Sequence, residues 1–183
     1  VSWLGYDPPD HVVTGIARRP AHVGGAQLAH DLAGLRRAGA SRLVVVGHSY
    51  GALVAARGAH AGAPIDELVL LGAPGLGVAD IDALGLSPGA DVWAALADRD
   101  PIGLVAATGW VHGPDPLDVA HRLPTSLPGH GAYLEDPVLL AALAGLSLEG
   151  LSLEGLSLDG LSLAGVRTEP VPSTRPGPTG PGT

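Results

Sequence analysis

Leu43-Val44-Val45-Val46-Gly47-His48-Ser49-Tyr50-Gly51-Ala52-Leu53-Val54-Ala55-Ala56 carries the change of pattern that decides the fold. Leu43 to Gly47 is a short β-branched apolar run of the kind buried on both faces in a parallel sheet. Tyr50 to His60 is rich in small residues and reads as a helix. The junction, Gly47 to Gly51, matches G-x-S-x-G. Its two glycines let a tight strand-to-helix turn close without side-chain clashes, which would strain Ser49 and expose its hydroxyl at the strand's carboxyl end. The helix that follows points its amino terminus at the same place, where N–H groups and the dipole favour developing negative charge.

Outward from this junction the two patterns alternate. Glu67 to Leu71 is a second apolar strand, and Val92 to Ala97 a weaker third. Gly25 to Arg37 has helical spacing with Leu28, Leu32 and Leu35 on one side. Val1 to Gly5 reads like the end of a further buried strand. Strand, helix, strand, helix implies an α/β fold with a mostly parallel sheet flanked by helices.

A serine hydroxyl needs a base to take its proton, and an imidazole needs an acid to orient it. For a nucleophile on such an elbow the chain order is serine, acid, histidine. Of the eight histidines, His112, His121 and His130 lie far enough after the third strand. His130, in Pro128-Gly129-His130-Gly131-Ala132-Tyr133, sits in a glycine-flanked loop before a helical stretch and is the candidate base, the alternative being a surface loop histidine. His48 reads as packing within the turn, because adjacent side chains on an elbow diverge. The third strand runs into Asp98-Arg99-Asp100-Pro101-Ile102, on the same rim as the elbow. Asp100 is the candidate acid, Asp98 its rival, and a solvated charge or helix cap the plain alternative for either.

Composition narrows the function classes. A chain of 183 residues is one domain with room for an appendage. Ten arginines and no lysine against 18 acidic residues give a net charge of -8, the wrong sign for gripping phosphate backbones, so nucleic acid is excluded as a partner. The absence of cysteine excludes disulfides, thiolate metal sites and a cysteine nucleophile, and fits a reducing, cytoplasmic setting. No stretch reaches the roughly 18 apolar residues of a membrane span. Of the 28 glycines and 17 prolines, 13 fall in the last 39 residues, where a Leu-Ser-Leu-Glu-Gly repeat occupies residues 145–165 and a disordered, low-complexity Pro/Gly/Thr tail is expected over residues 166–183. Residues 1–144 are then the domain. Five residues advance a helix by about 140°, so the repeat's leucines scatter around any helical axis and predict a linker or a lone solenoid coil without a chemical role.

The landmarks taken together resemble a family. Val1-Ser2-Trp3-Leu4-Gly5-Tyr6-Asp7-Pro8-Pro9, Gly47-His48-Ser49-Tyr50-Gly51, Leu71-Gly72-Ala73-Pro74-Gly75, Trp93 to Pro101, His112-Gly113-Pro114-Asp115-Pro116 and Gly129-His130 are similar, in order, to an actinobacterial domain-of-unknown-function group of the α/β-hydrolases. The resemblance implies a Ser49, Asp100, His130 triad, a small-molecule substrate with an ester-like or amide-like acyl bond, and no metal or organic cofactor. It also implies that Trp3-Leu4-Gly5 closes the family's fourth strand and Leu43 to Gly47 its fifth. The strand expected between them would precede Val1, and the Tyr50 N–H would be the oxyanion donor left. Two hypotheses follow: a serine hydrolase with a partial α/β-hydrolase fold, or a truncated, catalytically weak remnant that serves as a binding or interaction module. The sequence carries no signal of oligomeric state.

Overall fold

A computed structural model describes residues 1–7, 18–110, 112–126 and 128–148. Four strands, β1 (Val44–His48), β2 (Glu67–Leu71), β3 (Asp91–Ala95) and the two-residue β4 (His121–Arg122), form an all-parallel sheet in the order β1-β2-β3-β4. The register sets His48 against Leu71 and Leu71 against Ala95, so the loops leaving β1, β2 and β3 emerge side by side on one rim.

Side-chain alternation explains why the sheet needs helices on both faces. Leu68 and Leu70 of β2 face α1 (Arg18–Arg37) and α2 (Tyr50–His60), packing with Leu28, Leu32, Ala52, Ala55, Ala56 and Ala59. Val69 and Leu71 point the other way, into a second core with Trp93, Tyr133, Leu139, Ala142 and Leu146. Those last three lie on α5 (Pro137–Leu148) at i, i+3 and i+7, one face of a helix. Two short helices, α3 (Ile102–Ala106) and α4 (Pro116–Val119), complete the α-helices among the described residues. Below the sheet's amino end the buried Glu67 carboxylate accepts from Arg42 Nη2 at 2.8 Å and Trp93 Nε1 at 2.6 Å. Arg42 also donates to the Leu146 carbonyl at 3.0 Å, which fastens the last turn of α5 to the sheet.

Four expectations change. Val1 to Gly5 is not a strand. Val1 and Leu4 are exposed, and Trp3 instead packs on the α1 side, where its Nε1–H donates to Asp31 at 2.8 Å and its ring stacks on Tyr6. The outer edge of β1 therefore has no strand beside it among the described residues, and Val46 is 42% exposed. Strand β3 ends at Ala95, two residues early, because the Ala97 N–H turns to a side chain, the Tyr133 hydroxyl. In α1, which begins at Arg18, Leu28 and Leu32 are buried but Leu35 is half exposed in the last turn. Finally, α5 runs through the expected boundary at residue 144, and Leu146, the first leucine of the repeat, is a core residue at 5% exposure. The rest of the repeat beyond Leu148 and the 166–183 tail lie outside the described residues.

Candidate active site

The turn after β1 joins that strand directly to α2. Ser49 sits at φ 55°, ψ −124°, the one non-glycine residue with positive φ among those described. Its N–H donates to the Leu71 carbonyl at 2.9 Å, so the strained residue is tied to the neighbouring strand. Gly47 is sterically required: a Cβ there would lie 2.7 Å from both Ala52 Cα and the Gly51 carbonyl oxygen. Gly51 is not, contrary to the reading of both glycines as clash relief, since a Cβ at that position meets nothing within 4 Å. Tyr50 opens α2, so its N–H belongs to the first helical turn, where amide hydrogens point out of the helix end. Its phenol oxygen accepts from the Ala21 N–H at 3.0 Å and its ring stacks on Tyr6, and burial pushes its phenol above the usual range.

Ser49, His130 and Asp100 meet on the carboxyl rim of the sheet. His130 Nε2 is 2.7 Å from Ser49 Oγ, and His130 Nδ1 is 2.9 Å from each Asp100 carboxylate oxygen. A carboxylate can only accept, so Nδ1 carries a proton, and in the neutral ring Nε2 then offers its lone pair to the serine hydroxyl. Asp100 has no exposed side-chain surface. Burial pushes its pKa up, but hydrogen bonds from the Tyr133 hydroxyl, His130 and the Ile102 N–H outweigh that and hold the carboxyl below its ordinary range. Tyr133 donates to Asp100 Oδ2 at 2.6 Å while its oxygen accepts from the Ala97 N–H at 2.9 Å. Its phenol pKa is raised, by burial first and by the adjacent carboxylate second. Gly72, at φ +51°, leaves room for this cluster, as a Cβ there would stand 2.8 Å from Asp100 Oδ2 and 2.9 Å from the Tyr133 ring.

The loop that presents His130 is closed at its base by a fully buried carboxylate. Asp136 accepts from Thr125 Oγ1 at 2.7 Å, Ser126 N at 2.6 Å and Ser126 Oγ at 2.8 Å on one limb, and from Val138 N at 2.9 Å on the other. One side chain thus caps the start of α5 and clips both ends of the loop together.

The other sequence candidates separate. Asp98 is exposed on the same loop that buries Asp100. His112 is buried and its carbonyl accepts from the Gly77 N–H, and the His121 ring lies tilted against Trp93 near Asp91, toward the amino end of the sheet. His48 does pack in the turn, with ring centroids 4.8 Å from His130 and 5.3 Å from Tyr133, but its Nε2 also lies 2.7 Å from the His130 carbonyl oxygen. Burial lowers its pKa, the bond to that carbonyl acting against the shift. Tyr133, Asp136 and this second role of His48 were missed. Tyr133 stands in the quoted Pro128 to Tyr133 stretch, and Asp136 directly before Pro137 at a helix start is a capping signal that could have been read.

Among the described residues, no group of three or more His, Asp or Glu side chains could hold a metal ion, and no helix is long and apolar enough to cross a membrane. A cavity of about 360 Å³, lined by Ser87, Asp91 and His121 among others, opens at the amino end of the sheet, away from Ser49.

Relatives of the chain are mycobacterial. Uncharacterized protein Rv2079 of Mycobacterium tuberculosis (strain H37Rv) is 34% identical over 111 residues, which cover 57% of this chain and 17% of the relative. Uncharacterized protein Mb0988c of Mycobacterium bovis is 34% identical over 92 residues, covering 49% of this chain and 35% of the relative. The chain therefore spans about a third or less of the length of these proteins. No solved structure is a significant match. A family model described as alpha/beta hydrolase matches residues 1–109, a span that holds the elbow, β1 to β3 and Asp100 and ends before His130. Since that match takes in 109 of the chain's 183 residues, the chain belongs to the alpha/beta hydrolase family.

Proposed function

We propose that the protein is a serine hydrolase acting on an ester-like or amide-like acyl bond of a small molecule, with Ser49 as nucleophile, His130 as base and then acid, and Asp100 as the group that orients the imidazole. The observation that carries this reading is the continuous hydrogen-bonded path from Ser49 Oγ through His130 to a buried, ionised Asp100, at 2.7 and 2.9 Å. Ser49 Oγ attacks the acyl carbon while its proton passes to His130 Nε2, and the imidazolium is stabilised by the Asp100 carboxylate. The oxyanion forms beside the Tyr50 N–H at the start of α2. His130 returns the proton to the departing alcohol or amine. Water then attacks the acyl-serine with His130 again as base, releasing the acid and restoring Ser49.

The test is labelling of the folded chain with a fluorophosphonate probe, followed by peptide mapping. Modification of Ser49 that is abolished in Ser49→Ala and strongly slowed in His130→Ala supports the reading. Labelling that persists in Ser49→Ala removes Ser49 from the role.

A further inference from the structure

A base works only if its reactive nitrogen is held in place, since a displacement of about 1 Å costs roughly 100-fold in rate. His130 is set in backbone that resists this least, with Gly129 at φ +99° before it and Gly131 after it. Asp100 fixes one end of the ring but leaves the main chain of the loop untouched. Asp136 ties the main chain at the base of the loop, and the restraint at His130 itself comes from β1. His48 is the last residue of that strand and the one before Ser49, and its Nε2 lies 2.7 Å from the His130 carbonyl oxygen. A carbonyl only accepts, so His48 Nε2 carries a proton and donates. The same strand end therefore holds the nucleophile by a peptide bond and the base's backbone by a hydrogen bond. The His48 ring also lies against the His130 ring and the Tyr133 ring, so sideways movement of the imidazole meets an aromatic wall.

From this arrangement we infer that His48 is a positioning residue, whose Nε2–H clamps the His130 carbonyl and so sets the distance between His130 Nε2 and Ser49 Oγ. The inference rests on the reading of Ser49, His130 and Asp100 as a triad. It separates His48 from a residue that only fills space, because a hydrogen-bond donor is needed at one ring position. A glutamine amide nitrogen reaches about as far from the backbone as Nε2 does, whereas an asparagine nitrogen stops near Nδ1.

The experiment compares the full chain with His48→Phe, His48→Gln and His48→Asn, using p-nitrophenyl acetate as substrate. Loss of the donor in His48→Phe is expected to lower kcat about 10- to 100-fold with KM within twofold, the signature of an interaction that matters to the transition state rather than to binding. His48→Gln should recover part of kcat and His48→Asn should not. If His48→Phe fails to fold, the Gln and Asn pair alone decides. Wild-type kcat in His48→Phe, a change confined to KM, or equal activity of Gln and Asn variants would overturn the clamp. Proton NMR of the His130 Nδ1–H provides a readout independent of turnover. The resonance should be sharp in the wild type and broadened by solvent exchange in His48→Phe, and an unchanged resonance overturns the inference. Absence of hydrolysis in the wild type, together with that NMR change, would count against the triad reading and leave the clamp standing.

Discussion

Replacing Tyr133 with phenylalanine removes a single oxygen that serves two buried partners at once. That oxygen donates to Asp100 Oδ2 at 2.6 Å and accepts from the Ala97 N–H at 2.9 Å, in a side chain only 2% exposed. A hydrogen bond to a charged group contributes about 1.5–3 kcal/mol, and a buried N–H left without an acceptor costs about 1–3 kcal/mol. With water unable to enter easily, the two effects should lower stability by about 3 kcal/mol, or roughly 6–12 °C in Tm for a chain of this size. The acid side of the stability curve should change as well. Asp100 titrates below its unfolded value in the folded state, so its contribution is fully present above the unfolded aspartate pKa and is lost as pH falls through the lower, folded one. Without the Tyr133 donor the folded pKa rises toward the unfolded value, and that contribution shrinks. Urea unfolding of wild type and Tyr133→Phe at neutral pH and near pH 4 measures both. A loss below about 0.5 kcal/mol at neutral pH would show that the hydroxyl does not bridge these groups. Hydrolysis should fall about tenfold, since Asp100 keeps His130 and the Ile102 N–H but loses a side-chain donor that fixes its own rotamer.

Three further outcomes are expected. Asp100→Asn should reduce turnover by orders of magnitude, with little further loss on adding His130→Ala, while the exposed Asp98→Asn should leave kcat within about twofold; kinetics of the single and double variants check this. Asp136→Ala should destabilise the fold by about 3–5 kcal/mol, because it strands the Thr125, Ser126 and Val138 donors together, and thermal unfolding measures it. Leu146→Ala should cost about 2–5 kcal/mol in the same assay, as expected for a core leucine and not for the first residue of an uninvolved repeat.

How much of this could be read beforehand follows the range of the interactions. The elbow, the first two strands and α2 are local patterns, a β-branched run, a glycine-framed serine and a small-residue helix, and each formed within a residue of its expected bounds at β1 and β2. Asp100 and His130 are candidates on signals that are also local, a strand end and a glycine-flanked loop, and the structure brings both side chains together with Ser49. Tyr133 was not legible, since its role depends on Ala97 and Asp100 more than 30 residues away. Asp136 is half local: the helix cap is visible in Asp136-Pro137, but its grip on Thr125 and Ser126 exists only once the loop has closed. Leu146 is hidden because a five-residue repeat breaks helical spacing, yet this first leucine falls on the face that Leu139 and Ala142 establish. Val1 to Gly5 looked like a strand by composition, and composition says nothing about whether a neighbouring strand is there to pair with it.

The conformation of Ser49 sets stability and function against each other. A non-glycine residue held at φ 55°, ψ −124° costs of order 1–3 kcal/mol, and glycine would occupy the same turn without that strain. Ser49→Gly is therefore expected to relieve that strain while removing the side chain that serves as nucleophile in the proposed chemistry. Any search for hardier variants scored on folding alone would drift toward it and erase the hydroxyl. Under the proposed chemistry the strain is carried for the sake of the serine oxygen, and the surrounding sheet must be sturdy enough to bear it.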